Sequence, residues 1–368
     1  MIKYYSILFI LVYTGILGWG GQAHFLINQK SVFGFNSQSQ YLVSWQQVLA
    51  DHASDADSRK SQDPTEAPKH YIDIDNYAQF NTLGYIPQDL DSVINIYGYN
   101  FVYDQGILPW AAIASFDSLK ANLQRLNFNE AMLIAADLGH YIGDASMPLH
   151  ITVNYNGQQT GQTGIHSRYE SKMISNYLNE INFTPGNAEY ITDVSNFVFN
   201  FIYDNYPYVD SLLAADLTAK TTSGGSYNST YYAKLWSLTK FFTIKMLQKS
   251  STALASLIYT AWVDAGKPLP TSIYQDNLIN NTFSLLQNYP NPFNPSTNIE
   301  FSLSTAANIK LEIFNGIGEL IFSNNLGYLP TGKHTYLYKA DSNIPSGIYF
   351  YKLTSNNNHK INKMILMK

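Results

Sequence analysis

The chain contains no cysteine, so disulfide bonds cannot stabilise its fold, and any zinc ion must be bound by nitrogen and oxygen ligands. Charged residues make up only 13% of the 368 residues, and the formal net charge is -5. Tight binding to duplex DNA normally needs a basic patch, so we expect no stable duplex binding. Beyond the N-terminal segment, no stretch is long and apolar enough to cross a bilayer, so we expect no transmembrane segment in the mature chain.

Residues 1–18 have the pattern of a signal peptide. Lys3 gives a positive start, residues 7–17 form an apolar run, and the small Gly18 precedes Trp19. The run is shorter than the about 20 residues that a membrane span needs. We therefore expect cleavage directly before Trp19 and secretion of the mature chain; the alternative is a buried N-terminal helix.

The composition predicts a folded chain with a large core, because 45% of the residues are hydrophobic. Over residues 19–267 the apolar residues often recur at helical spacing, as in the stripe Ala131, Ile134, Ala135, Leu138 and Ile142. Residues 252–264 form another helical stretch, which ends before Gly266 and Pro268. This region is predicted to be an all-α domain, with long loops over residues 85–105 and 221–232.

The pattern changes after a predicted linker over residues 268–283. Residues 284–368 contain short runs of alternating apolar residues separated by glycines, which is typical of an antiparallel β-sandwich of about 80 residues. The runs centre on Phe301, Leu311, Leu337 and Phe350. The predicted fold class is thus multidomain, with an all-α domain followed by a small antiparallel β-sandwich.

Two pairs of potential metal ligands have four-residue spacing. His140 and Asp144 form one pair, His166 and Glu170 form the other, and His150 lies between them. Residues four apart share one face of a helix, and zinc accepts imidazole nitrogen and carboxylate oxygen. A single histidine is more often an ordinary polar residue than a ligand, but the joint pattern favours a metal site. Further candidates lie upstream: His24, Asp55, Asp57 and His70.

Four segments in this order resemble the zinc-dependent phospholipase C / S1-P1 nuclease superfamily. They are Trp19-x4-His24, the Asp-x-Asp of residues 55–57 followed by HYID at 70–73, HYIGDASMPLH at 140–150, and His166-x3-Glu170. The resemblance covers residues 19–266. It implies an all-helical domain that holds three zinc ions in a cleft.

The resemblance also implies a ligand set for each ion. The first zinc would be bound by Asp55, His70, His140 and Asp144; the second by His150, His166 and Glu170; and the third by His24 with the α-amino nitrogen and carbonyl oxygen of Trp19. Asp144 would bridge the first and third ions, and Asp55 and Asp144 would be the catalytic carboxylates. Asp57 also fits the position of Asp55. Signal-peptide cleavage would complete the site, because a backbone amine binds metal only at a free chain end.

The activity implied is hydrolysis of a phosphate ester by water that zinc activates. The segment HSRYE at 166–170 resembles bacterial phospholipase C, whereas the short spacing from Trp19 to His24 resembles the nucleases. We expect a phospholipid head group as substrate. The alternatives are a single-strand nuclease or 3'-nucleotidase, a non-catalytic zinc-binding surface protein, and a surface adhesin.

Further side chains are candidates for supporting roles. Asp73, Asp75 and Asp137 are expected to orient the imidazoles. Arg59 and Arg168 are candidates for a contact with phosphate, but a solvated or ion-paired surface arginine is favoured for both.

Residues 288–297, NYPNPFNPST, resemble the start of the type A sorting domain of the type IX secretion system. Segments 311–315 and 346–351 and the lysine-rich end continue the resemblance. It implies the type IX secretion machinery as partner, with export across the outer membrane and release or anchoring at the cell surface. The alternative is a sandwich that binds carbohydrate or a protein partner.

Overall fold

The computed structural model describes residues 20–270, 283–303, 306–355 and 358–368. Contacts divide the chain between Leu269 and Pro270 into two compact units. The first unit is helical and the second is built from antiparallel sheets, which confirms the predicted fold class. The predicted signal peptide, Trp19 and residues 271–282 of the predicted linker lie outside the described residues.

The α-helices of the first unit are α1 Gly20–Ser31, α2 Gln46–Asp51, α3 Asp55–Arg59, α4 Ala78–Leu83, α5 Leu90–Tyr97, α6 Tyr99–Asp104, α7 Leu108–Gln124, α8 Phe128–Ser146, α9 Ile165–Ser167, α10 Ile174–Tyr177, α11 Val194–Asn205, α12 Tyr208–Thr222 and α13 Ser229–Asp264. Shorter 3-10 helices cover Val32–Gly34, Ser37–Trp45, Ala67–His70, Ile74–Asn76, Pro148–His150 and Leu178–Glu180, and a π-helical turn covers Arg168–Met173. None of the helices within the described ranges is long and apolar enough to cross a membrane.

The predicted loop over residues 85–105 is wrong in its larger part, because it contains α5 and α6. Asp89 caps α5 by accepting a hydrogen bond from the backbone N–H of Ser92. Gly98, with φ of 88°, separates the two helices. Val93 and Val102 are fully buried, so each helix is held to the core by an apolar residue that the polar surroundings conceal in the sequence.

Helix α8 crosses the centre of the first unit and packs on α1, α7 and α13. The predicted stripe lies on its buried face, with Ile134 only partly buried. The burial becomes continuous from Leu138 to Ser146, so the C-terminal half of α8 is enclosed on all sides. His140 and Asp144 belong to this enclosed half.

The second unit consists of β1 Phe283–Leu285, β2 Ser296–Leu303, β3 Ala307–Asn315, β4 Leu320–Leu329, β5 Gly332–Lys339, β6 Gly347–Ser355 and β7 Asn358–Leu366. They form two antiparallel sheets with the strand orders β1-β2-β5 and β4-β3-β6-β7. Apolar residues from both sheets build one shared core.

Strand β6 differs from the predicted pattern in which residues face the core. The predicted alternation centres on Phe350, but the buried residues are Tyr349, Tyr351 and Leu353. Both faces of this strand are apolar, so alternation alone does not determine its orientation. The hydroxyl group of Tyr351 donates to the carbonyl oxygen of Leu286, a bond that requires its ring to point inward.

Candidate metal centre

Helix α8 brings His140 and Asp144 to one face, because residues four apart lie one above the other on an α-helix. Both side chains are fully buried, and His140 Nε2 lies 3.3 Å from Asp144 Oδ2. His140 Nδ1 lies 2.8 Å from the carbonyl oxygen of Ala53. A carbonyl oxygen only accepts hydrogen bonds, so Nδ1 donates to it and Nε2 is directed towards Asp144.

His70, at the end of the 3-10 helix Ala67–His70, reaches the same point from the opposite side. Its Nδ1 lies 3.0 Å from Asp144 Oδ2 and 3.0 Å from His140 Nε2. The potential ligand atoms of His70, His140 and Asp144 all lie within 4.8 Å of one another. Two imidazoles and a carboxylate at such distances are a donor set that suits zinc.

Asp57, and not the predicted Asp55, is the aspartate that lies beside this first cluster. Asp57 Oδ1 lies 3.6 Å from both His70 Nδ1 and His140 Nε2. The side chain of Asp55 is 49% exposed, and its Oδ2 lies 2.6 Å from His52 Nδ1. Two positions along an α-helix rotate a side chain by about 200°, so α3 directs only one of its two aspartates inward.

His24 approaches the cluster from helix α1 and is fully buried. Its Nε2 lies 3.4 Å from Asp144 Oδ1. The approach requires Gly143, because a β-carbon at that position would lie 2.7 Å from His24 Nδ1. The predicted amine ligand Trp19 directly precedes α1 in the sequence, but it lies outside the described residues.

A second cluster consists of His150, His166 and Glu170. His150 Nε2 lies 3.3 Å from His166 Nε2 and 3.3 Å from Glu170 Oε2. The potential ligand atoms of all three residues lie within 4.8 Å of one another. The Nδ1 atoms of the two histidines lie 2.9 Å from the carbonyl oxygen of His70 and 3.1 Å from that of Tyr155. Backbone carbonyls thus orient both rings so that their Nε2 atoms face Glu170.

Glu170 lies on the π-helical turn Arg168–Met173, and a buried ion pair fixes this turn. Arg168 Nη2 lies 3.0 Å from Asp216 Oδ1, and Arg168 Nε donates to the hydroxyl oxygen of Tyr231 at 3.0 Å. Asp216 is fully buried. The guanidinium group is therefore engaged within the fold, which agrees with the favoured ion pair and not with a contact to phosphate.

Glu66 contacts a cluster histidine and was missed by the sequence analysis. It is 1% exposed, and its Oε1 lies 3.5 Å from His70 Nε2. Lys69 Nζ lies 2.8 Å from its Oε2, and the hydroxyl group of Tyr141 donates to Oε1. The four-residue spacing from Glu66 to His70 matches the other ligand pairs and could have revealed it.

The carboxylates that were predicted to orient imidazoles have other partners. Asp137 Oδ2 lies 2.9 Å from a guanidinium nitrogen of Arg59, so this arginine too forms the favoured ion pair. Asp75 accepts a hydrogen bond from the hydroxyl group of Thr152 at 2.6 Å. Within the described residues, neither Asp73, Asp75 nor Asp137 bonds to an imidazole, so this prediction is replaced by Glu66 and the backbone carbonyls.

A cavity of about 460 Å³ opens beside the two clusters. Its lining residues are Lys60, Ala67, His70, Tyr71, Asp73, Asp104, Leu149, His150, Tyr155 and His166. Members of both clusters therefore face the same space, which is large enough for the polar part of a substrate.

Several buried polar atoms of the clusters have no hydrogen-bond partner among the described residues. They are both ring nitrogens of His24, Asp57 Oδ2, His70 Nε2 and Asp144 Oδ1. Buried polar atoms are normally paired, and atoms left unpaired in one place require an explanation such as an ion. The donor chemistry of these residues, nitrogen and oxygen without sulfur, fits zinc.

Burial and neighbouring charges strongly shift the pKa values of the cluster residues. Desolvation opposes the charged form of His140 and His150, but Asp144 overcomes it and raises the pKa of each histidine to about 10. Burial, together with the charge of His140, lowers the pKa of His24 to about 4. The pKa of Asp144 lies well below its usual range, because the neighbouring imidazolium groups outweigh its burial.

Comparison with protein families identifies the second unit. Residues 287–367 match the secretion system C-terminal sorting domain. The predicted sorting domain is therefore confirmed, and it indicates secretion with export to the cell surface and implies the type IX secretion machinery as partner.

No curated protein matches the chain. Among solved structures, an alpha toxin from Clostridium absonum shares 10% identity at a TM-score of 0.43, and the match covers 97% of this chain and 99% of that chain. An alpha toxin isolated from an avian strain of Clostridium perfringens shares 13% identity at a TM-score of 0.41, with coverages of 93% and 96%. At similarities this low, neither toxin identifies a reaction for this chain.

Proposed function

We propose that the helical unit is a zinc-dependent phosphodiester hydrolase with phospholipase C-like activity, which acts outside the cell. The observation that carries the proposal is the convergence of five histidines and three carboxylates beside one cavity. Several buried nitrogen and oxygen atoms of these residues have no hydrogen-bond partner among the described residues. A purely structural zinc site would need one closed set of four ligands, whereas these residues form overlapping sets that adjoin a cavity.

The proposed ligands follow the clusters, with Asp57 in place of Asp55. One zinc ion would be held by Asp57, His70, His140 and Asp144, a second by His150, His166 and Glu170, and a third by His24, Asp144 and the amine terminus at Trp19. Asp144 Oδ1 lies 3.4 Å from His24 Nε2 and 3.0 Å from His150 Nδ1, and its Oδ2 lies near His70 and His140, so this carboxylate connects histidines of all three sets. We infer three ions in total.

Bound zinc supplies two effects, since it lowers the pKa of water to about 7 and neutralises phosphate charge. The protein residues supply placement. The carbonyl oxygens of Ala53 and His70 hold the imidazoles of His140 and His150 in fixed orientations, and Glu66 Oε1 lies 3.5 Å from His70 Nε2. Asp57 Oδ2 has no described partner, so it is available to orient an attacking water molecule and to accept its proton.

Two substrate classes fit this chemistry. A phospholipid head group is favoured by the HSRYE segment, whose Glu170 joins the second cluster. A single-stranded nucleic acid or a 3'-nucleotide is the alternative, and the observation in its favour is the presence of Tyr71 and Tyr155 in the cavity wall, where a base could stack.

The proposal is tested on the secreted protein with a native amine at Trp19. Zinc is measured per chain, and hydrolysis of phosphatidylcholine and of single-stranded DNA is assayed before and after chelation and after zinc is restored. We expect at least two zinc ions per chain and hydrolysis that chelation abolishes and zinc restores. Zinc binding without hydrolysis of either substrate would support a non-catalytic zinc protein instead.

A further inference from the structure

Asp73 faces the cavity but belongs to neither metal cluster. It follows the 3-10 helix that ends at His70, and its backbone N–H donates to the carbonyl oxygen of Gln105 at 2.7 Å. Its side chain lines the same space as His70, His150 and His166. The backbone bond fixes the main chain at Asp73, beside the cavity.

The surroundings of Asp73 differ from those of its neighbour Asp75. Asp75 accepts hydrogen bonds from the hydroxyl group of Thr152 at 2.6 Å and from the backbone N–H of Val153 at 2.8 Å. Among the described residues, no donor or cation bonds to the carboxyl group of Asp73. The carboxyl group of Asp75 is therefore held by two hydrogen bonds, whereas the carboxyl group of Asp73 has no such contact.

Burial, and next the charge of Asp75, raise the pKa of Asp73 to about 7. A carboxyl group with this pKa is partly protonated at neutral pH and is suited to general acid catalysis. The other titratable groups that face it or share its cavity are Lys60, His70, Tyr71, Tyr77, Asp104, His150, Tyr155 and His166. Lys60 lies 2.6 Å from Asp57 Oδ1, so its charge is directed to the first cluster and away from Asp73.

We propose that Asp73 is the catalytic acid that protonates the leaving alcohol oxygen of the phosphodiester. This role rests on the proposed function of the site. In the step, the oxygen of water forms a new bond to phosphorus and releases a proton to Asp57, which passes it on to solvent. The bond from phosphorus to the leaving oxygen breaks, and that oxygen takes the proton of Asp73. The products are an alcohol and a phosphate monoester, and solvent returns a proton to Asp73.

The test uses two phosphodiesters with the same head group and different leaving groups. An alkyl alcohol needs a proton as it departs, whereas p-nitrophenolate departs without one. For Asp73→Asn we expect kcat on the alkyl ester to fall about 100-fold and kcat on the p-nitrophenyl ester to change less than about threefold. Asp104→Asn removes another carboxylate from the cavity wall and should change kcat on the two esters by the same factor.

The pH dependence of kcat is a second test of Asp73 as the acid. In the wild-type protein, kcat on the alkyl ester should fall as the pH rises above about 7, where Asp73 loses its proton, and this limb should be absent with the p-nitrophenyl ester. Asp73→Asn should remove the limb. Independently of activity, an infrared difference spectrum between wild type and Asp73→Asn should contain the carbonyl stretch of a protonated carboxyl group at about pH 6 and lose it at about pH 8.

Zinc content and circular dichroism of Asp73→Asn should equal those of the wild type. Equal losses on both esters in a folded, zinc-loaded variant would overturn the role of Asp73 and leave the proposed function intact. Absence of chelator-sensitive hydrolysis of either ester by the wild type would contradict the proposed function itself.

Discussion

His24 stacks on His140, with ring centroids 3.8 Å apart and planes inclined by 14°. The first histidine lies on α1 and the second on α8, so the contact joins the start of the described chain to its most enclosed helix. Gly143, one turn beyond His140, provides the space for it.

Replacement of Gly143 by alanine should therefore disturb the metal centre. Alanine is favoured over glycine in a helix by about 1 kcal/mol, but its β-carbon would lie 2.7 Å from His24 Nδ1. We expect the zinc content to fall by about one ion per chain, as measured by metal analysis of the purified protein. Asn129→Ala, at an exposed position of the same helix, is the control, and unchanged zinc in Gly143→Ala would contradict the role of His24.

The two aspartates of α3 offer a matched pair of variants. Asp57→Asn should weaken zinc binding and lower kcat by about 100-fold or more, because the variant loses a charged ligand beside His70 and His140. Asp55→Asn removes only a half-exposed contact with His52 and should have a much smaller effect. Competition with a chromogenic chelator measures the affinity, and a larger loss in Asp55→Asn would restore the original assignment.

Zinc binding should become tighter as the pH rises towards 10. The pKa values of His140 and His150 are raised to about 10, so both rings carry a proton at neutral pH in the absence of metal. Metal must displace these protons, and a falling proton concentration favours the displacement. Calorimetric titration in buffers of different ionisation enthalpy should detect proton release at pH 7, and zinc binding without proton release would be inconsistent with these ligands.

Arg168 should be important for stability and for the second cluster. Its side chain is 10% exposed and pairs with the fully buried Asp216. Loss of one partner of a buried pair costs about 3–5 kcal/mol, so Arg168→Met should lower the free energy of unfolding by an amount of that order. Urea unfolding measures this, with Lys240→Met, which breaks the exposed pair with Glu180, as a control of much smaller effect.

If Arg168→Met folds, its zinc content should also fall at the second cluster, because the turn that carries Glu170 is no longer fixed. Arg168→Lys keeps the positive charge but cannot make the several hydrogen bonds of the planar guanidinium group. Its zinc content should therefore lie between those of Arg168→Met and the wild type. A variant with normal stability and normal zinc would show that the ion pair does not position the turn.

The ligand pairs could be predicted from the sequence because their geometry is local. His140 and Asp144, like His166 and Glu170, need only one helical turn to meet, so spacing alone brings them together. The choice between Asp55 and Asp57 could not be made in this way. It depends on how the short helix α3 is rotated against α8, which is a matter of tertiary packing.

The difference between local geometry and tertiary packing also explains why other predictions from the sequence were wrong. Helix α5 depends on the cap at Asp89 and on burial of Val93, which a polar, tyrosine-rich segment conceals. The orientation of β6 is set by the inward bond of Tyr351, and not by alternation of apolar residues. Glu66, by contrast, has the same four-residue spacing to His70 as the predicted ligand pairs, so the signal for it was present in the sequence.

The carbonyl oxygen of His70 orients the ring of His150, while the imidazole of His70 itself belongs to the other cluster. One residue thus has its backbone in one half of the site and its side chain in the other. A backbone shift at His70 would therefore affect the His70 ring and the anchor of His150 together. We expect the zinc affinity of each cluster to depend on whether the other cluster is filled.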